Sequence, residues 1–213
     1  MAARKVLTRA ESQAQTRESL IDAAEQLFLA DGYHTTSIAA IAAEAGRTIG
    51  AVYSNFDSKE SLCIEVIRRR INAELTKLTT SFIAAPDDLE ARLAVLPAWW
   101  TRVSGDTAMI TLLAEFLITA IRDAQHRATS VETFNRMLES GRAVLIDYLP
   151  EEISDDDPLL DSAVHAVIAT GTGLAVARAA EVMTAEQSTE ILSTTIRLWL
   201  GRLAGSAPDL PVH

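Results

Sequence analysis

The sequence predicts an all-α fold of about nine helices. Three observations carry this. Apolar residues recur at the spacing of one helix face, as in Leu20, Ile21, Ala24, Leu27 and Phe28, and no segment alternates at period two. Ala, Leu, Glu and Arg dominate while β-branched runs stay short. The few Gly and Pro residues fall where helices would stop.

The elements follow in order. A first helix runs from about Glu11 to Ala30, and Asp31-Gly32 ends it with the residue best suited to a left-handed turn. Thr36 is placed to cap a short helix over Ser37 to Ala45, Gly46 supplies a tight turn, and Thr48 caps a third helix from Ile49 to about Asn55. Asp57-Ser58-Lys59-Glu60 reads as a capping box opening a long helix to about Ile83. Pro86-Asp87-Asp88 starts the next, within which Pro97 should impose a kink or end the first half. Asp106 begins an apolar helix through Ile121, and Thr129 to Leu149 forms another that Pro150 closes. The acidic stretch Glu151 to Asp157 is a solvated connector. Pro158 leads a helix through Ala163 to Ala180, and Thr184-Ala185-Glu186-Gln187 opens the last one, to about Leu203.

With 213 residues, 48% of them hydrophobic, the chain can bury a substantial core. Its net charge of −10, or −20 for two copies, opposes any protein that coats nucleic acid through bulk charge. A DNA contact must therefore be local. Arg4, Lys5, Arg9 and Arg17 against Glu11 give the first 17 residues a net +3, four cations less one anion. The chain is expected to divide into a flexible basic arm over 1–10 and two helical regions, 11–62 and 63–213.

No apolar segment follows the N-terminal cations, and no later stretch is expected to supply the ~18–20 apolar residues of a membrane span, which points to a cytoplasmic protein without a membrane partner. The single cysteine, Cys63, reads as a buried small hydrophobe. Neither a Gly-rich phosphate loop, a zinc-spaced His/Cys set nor a nucleophile elbow occurs, and His34, His126, His165 and His213 are scattered. A helical enzyme is thereby disfavoured, and neither cofactor nor metal is expected.

Two short helices joined by a Gly turn and braced by a longer preceding helix form a helix-turn-helix. Ile38, Ile41, Ala42 and Ala45 make the inner face of the second helix, and Val52 and Phe56 pack against it. Thr48, Ile49, Tyr53, Ser54 and Asn55 remain for the exposed side and ends.

The run GYHTTSIAAIAAEAGRTIGAVYSNFDSKESL, residues 32–62, resembles the DNA-binding signature of the TetR family over its whole length. The resemblance implies that Thr36, Ser37, Thr48, Tyr53 and Lys59 contact phosphates and that the third helix enters the major groove. Hydroxyls, a lysine and helix N-termini suit phosphate oxygens. Three departures concern the operator: Arg47 replaces a small apolar residue after the turn glycine, Asn55 stands where histidine is common, and Ala39-Ala40 lack a polar pair. Ile49 and Gly50 complete the expected reading surface, Ile49 meeting a thymine methyl and Arg47 either guanine or phosphate. Arg4, Lys5 and Arg9 in the arm should position the protein on phosphates.

Beyond about residue 65 the likeness thins, although LLAEFLITAIRDAQHR is similar to a sixth-helix pattern of many family members. The resemblance implies a homodimer formed by the last two helices and a repressor released from a pseudo-palindromic double-stranded operator by a small-molecule effector. Gly171, Thr172, Gly173, Ala175 and Ala179, with Leu192, Ile196, Leu198 and Trp199, are the residues expected at that interface. Ligand-lining candidates are Trp99, Trp100, Met109, Leu113, Phe116, Phe134 and Met137, together with Glu115 and His165, two polar residues within apolar helices. A ligand-independent architectural DNA-binding protein is the alternative.

Overall fold

A computed structural model describes residues 8–122 and 158–205 and, between them, the helical residues 127, 128, 131, 132, 135, 138, 139, 142, 143 and 146. Arg4, Lys5, Phe134 and Met137 lie outside the described residues. Among the described residues nine helices have defined bounds: α1 (Arg9–Asp31), α2 (Ile38–Glu44), α3 (Ile49–Tyr53), α4 (Lys59–Ala84), α5 (Leu89–Leu93), α6 (Leu96–Val103), α7 (Thr107–Arg122), α8 (Pro158–Ala179) and α9 (Ala185–Leu203). They fall into two units. The first comprises residues 1–70 and 112–130, the second residues 71–111 and 131–213.

In the first unit, Leu20, Ile21, Ala24 and Phe28 of α1 are buried with Ile41 and Ala42 of α2, Val52 of α3 and Leu62 and Val66 of α4. Ion pairs reinforce the α1–α4 packing, with Arg69 meeting Glu18, Asp22 and Glu25, and Arg17 meeting Glu65. Two caps differ from the sequence reading. The first helix starts at Arg9 rather than Glu11, because Thr8 and Glu11 form a reciprocal capping box, so Arg9 belongs to a helix and not to a flexible arm. Ser37, not Thr36, caps α2 by accepting the Ala40 N–H.

The box opening α4 is also shifted. Ser58 and Ser61 exchange backbone-to-hydroxyl bonds of 3.1 Å each, so serine takes the place expected of Glu60. The turn after α2 is a Schellman motif: Arg47 N–H reaches Ala42 O at 2.8 Å, Gly46 N–H reaches Ala43 O, and Gly46 has φ +63°.

In the second unit, α8 and α9 pack on each other and α9 packs on α6. Trp100, Ile110, Leu174, Ala175 and Leu192 form one core cluster, and Leu138, Leu160, Ala163, Val164 and Leu203 another. Pro97 sits in the first turn of α6, where its missing N–H costs nothing, and the chain is already divided between α5 and α6. Arg178 of α8 donates to Thr101 O at 2.8 Å and to Ser104 Oγ, closing the C-terminus of α6.

One expectation is overturned here. The 22-residue α8 contains an 18-residue window of mean hydropathy 1.4 and is long and apolar enough to cross a membrane by composition. Its Leu160, Ala163, Val164, Leu174 and Ala175 are instead buried in the protein core, the ordinary use of such a helix. Asp161, His165 and several Gly and Thr residues interrupt its apolar run in the sequence.

Candidate nucleic-acid interface

The reading surface is built by what α2 and α3 bury. Val52 is fully buried, so the remaining side of α3 must face outward. Ile49 is 48% exposed and Tyr53 57% exposed, and Arg47, Thr48, Gly50 and Ser54 are exposed beside them. Large apolar side chains in water on a five-residue helix do nothing for the core. Thr48 caps α3 by accepting the Ala51 N–H at 3.2 Å. Ser37 is exposed at the start of α2 and presents a second hydroxyl.

The other predicted contacts are placed differently. Thr36 is buried, donating its hydroxyl to Gly32 O at 2.7 Å, so it fixes the turn before α2 from behind. Asn55 donates its side-chain N–H to Ala51 O at 2.8 Å, which turns that amide back onto its own helix. The Lys59 ammonium lies 4.3 Å from the centre of the Tyr33 ring. Burial lowers the Lys59 pKa, while the nearby Glu60 and Glu115 carboxylates favour its charged form.

Sequence reasoning missed Tyr33. Its side chain is 3% exposed, its ring stands edge-on to Phe116, and its phenol donates to Glu60 Oε1 at 2.8 Å. Burial pushes the phenol well above its ordinary pKa, and the bond to Glu60 adds to this. The Tyr33 N–H donates to Glu115 Oε2 at 2.6 Å. A buried aromatic after a helix-ending glycine was the available signal; its partner 82 residues away had none.

The ligand candidates are divided between the two units. Leu113, Glu115 and Phe116 belong to the first unit, whereas Trp99, Trp100, Met109 and His165 belong to the second. Trp99 donates to Glu74 O and Trp100 to Ser188 Oγ, each at 3.2 Å. His165 is exposed, with Nδ1 2.6 Å from Asp161 O. An open depression of about 550 Å³ in the second unit is lined by Thr101, Ala185, Glu186, Thr189 and Glu190, none of them a predicted residue.

Of the residues expected at the dimer interface Gly173 is exposed, while most of the others pack within the unit. Ala175 and Leu192 are buried, Ala179 and Ile196 pack on the same cluster, Trp199 packs on the other, and a Cβ on Gly171 would touch Trp100 at 3.6 Å. Thr172 donates its hydroxyl to Ile168 O within α8.

Residues 20–66 match the family model described as bacterial regulatory proteins, tetR family. The HTH-type transcriptional repressor BepR of Brucella suis is 42% identical over 62 residues, 29% of this chain and 29% of that protein. The match thus spans less than a third of that relative's length. A TetR-family transcriptional regulator from Rhodococcus sp. superimposes with a TM-score of 0.70 at 15% identity, covering 88% of this chain and 99% of that one. A TetR transcription regulator from Haloarcula marismortui does so with a TM-score of 0.62 at 18% identity, over 89% and 98%. Residues 20–66 are therefore similar to the tetR family of bacterial regulatory proteins, and the chain shares the all-helical fold of these two solved structures.

Proposed function

We propose that this protein is a DNA-binding transcriptional regulator, a cytoplasmic repressor that grips a pseudo-palindromic operator as a homodimer and leaves it when a small apolar or amphipathic molecule binds. The observation that carries the reading is the outward face of α3, where Arg47, Thr48, Ile49, Gly50 and Tyr53 stand exposed on a helix whose other side is buried by Val52. A helix of this width fits the major groove, where Ile49 suits a thymine methyl and Arg47 suits guanine O6 and N7 or a phosphate. Thr48, Ser37 and Tyr53 supply hydroxyls for the flanking phosphates.

Dimerisation gives two such helices, one for each half-site. The inward packing of Leu192 and Ala175 supports a pairing surface on the opposite side of the same helices. On α8 the exposed residues His165, Ala169, Gly173 and Val176 follow one helical stripe, and on α9 Gln187, Ile191 and Thr194 do the same. A Cβ added to Gly173 would meet nothing within 4 Å, which leaves room for a close helix from a second copy.

Release by an effector follows if the ligand favours a dimer whose reading helices are wrongly spaced, and the coupling is then reciprocal. The test of the reading is selection of duplexes from a random pool by the full chain. It should enrich an inverted repeat, and a pool that remains unenriched overturns the function.

A further inference from the structure

Three local constraints meet at the end of α1. Gly32 has φ +87° and ψ 165°, a backbone region essentially closed to other residues. A Cβ built there would lie 3.2 Å from both carboxylate oxygens of Glu115. That carboxylate stands beside the C-terminal end of a 23-residue helix with no basic residue in its last turn, where the helix dipole disfavours negative charge. Together they admit only glycine at position 32 and hold the Glu115 carboxylate against it.

What they position is visible in the bonds. Glu115 takes the Tyr33 N–H at 2.6 Å, a charge-assisted bond that fixes the first residue after Gly32. Four residues on, Ser37 caps α2, and the intervening Thr36 is bound back to Gly32 O. The Tyr33 ring carries the Lys59 ammonium, and its phenol holds Glu60, so the first turn of α4 is set by the same residue.

We infer that Glu115 is a positioning residue of the DNA-reading unit: by holding the Tyr33 backbone it sets both the turn that launches α2 and the aromatic ring on which Lys59 rests. The inference rests on the DNA-reading function proposed above. It gives Glu115 a role other than ligand contact, and it makes operator affinity depend on a residue of α7 that itself touches no DNA.

The experiment compares full-length wild type, Glu115→Ala and Glu115→Gln on a duplex selected by the wild type, at a temperature where melting curves show each variant folded. Glu115→Ala should lose at least about tenfold in affinity for that duplex, while binding to unselected duplex, which depends on backbone charge, stays within about twofold. Glu115→Gln keeps an acceptor oxygen for Tyr33 and should retain wild-type affinity. Unchanged operator affinity in Glu115→Ala overturns the inference, as does an equal loss on both duplexes. If Glu115→Ala does not fold while Glu115→Gln matches wild type, the carboxylate is a stability residue only and the inference again fails. A wild type that selects no sequence fails differently, because it removes the DNA-reading function itself.

Discussion

At the scale of single residues, burial and backbone conformation separate groups that react from groups that only support. Cys63 is fully buried, and burial pushes its thiol well above the ordinary range. A disulfide reagent should therefore leave the native protein unmodified and label it only as it unfolds; rapid labelling in native buffer would contradict this packing. Glu181 adopts φ +58° at the end of α8, where its N–H and that of Val182 close the helix onto Arg178 O and Ala177 O. That conformation suits glycine, so Glu181→Gly should raise stability by about 1 kcal/mol in a denaturant melt. Arg47 is exposed at the mouth of α3. If it reads guanine, Arg47→Ala should cost roughly 1–3 kcal/mol in operator binding and relax preference at one base position, as competition among single-base operator variants would reveal.

At the scale of elements, capping decides how firmly the short helices stand. α3 has five residues and one side-chain cap, from Thr48. Thr48→Ala should cost about 1 kcal/mol of stability and weaken operator binding further by loosening the face that holds Ile49 and Tyr53. Thermal melts and duplex titration of the same variant separate the two losses. Local signals of this kind were legible in the sequence: the Thr184–Gln187 box, the Thr48 cap, the Gly46 turn and the break near Pro97 are all present. Where two candidate caps adjoin, as at Thr36-Ser37 or Asp57-Ser58, composition does not choose between them. The choice follows from which hydroxyl the core buries, and Thr36 is the one buried. Contacts between distant segments were not legible, because the Tyr33–Glu115 bond depends on how α7 lies against the turn after α1.

At the scale of the whole molecule, helical periodicity gave the faces of α8 and α9 without saying which face turns inward. Both sides of α8 carry small and apolar residues, so Ala175 and Ala169 look alike in sequence although one is buried and the other exposed. The proposed second copy would sit on the exposed stripe. Light scattering should give twice the 23.0 kDa chain mass, and Val176→Glu, which puts a charge into a position now 40% exposed, should shift the protein toward monomer and weaken binding to a two-half-site duplex. A monomeric wild type at micromolar concentration would contradict the dimer. The central claim is that the exposed face of α3 reads base sequence, and the direct measurement is to repeat the random-pool selection with wild type, Arg47→Ala and Ile49→Ala. The account predicts an inverted repeat for the wild type and, for at least one variant, a changed preference at the same position of both half-sites. A consensus that both variants leave intact, with affinity lost evenly or not at all, would contradict it.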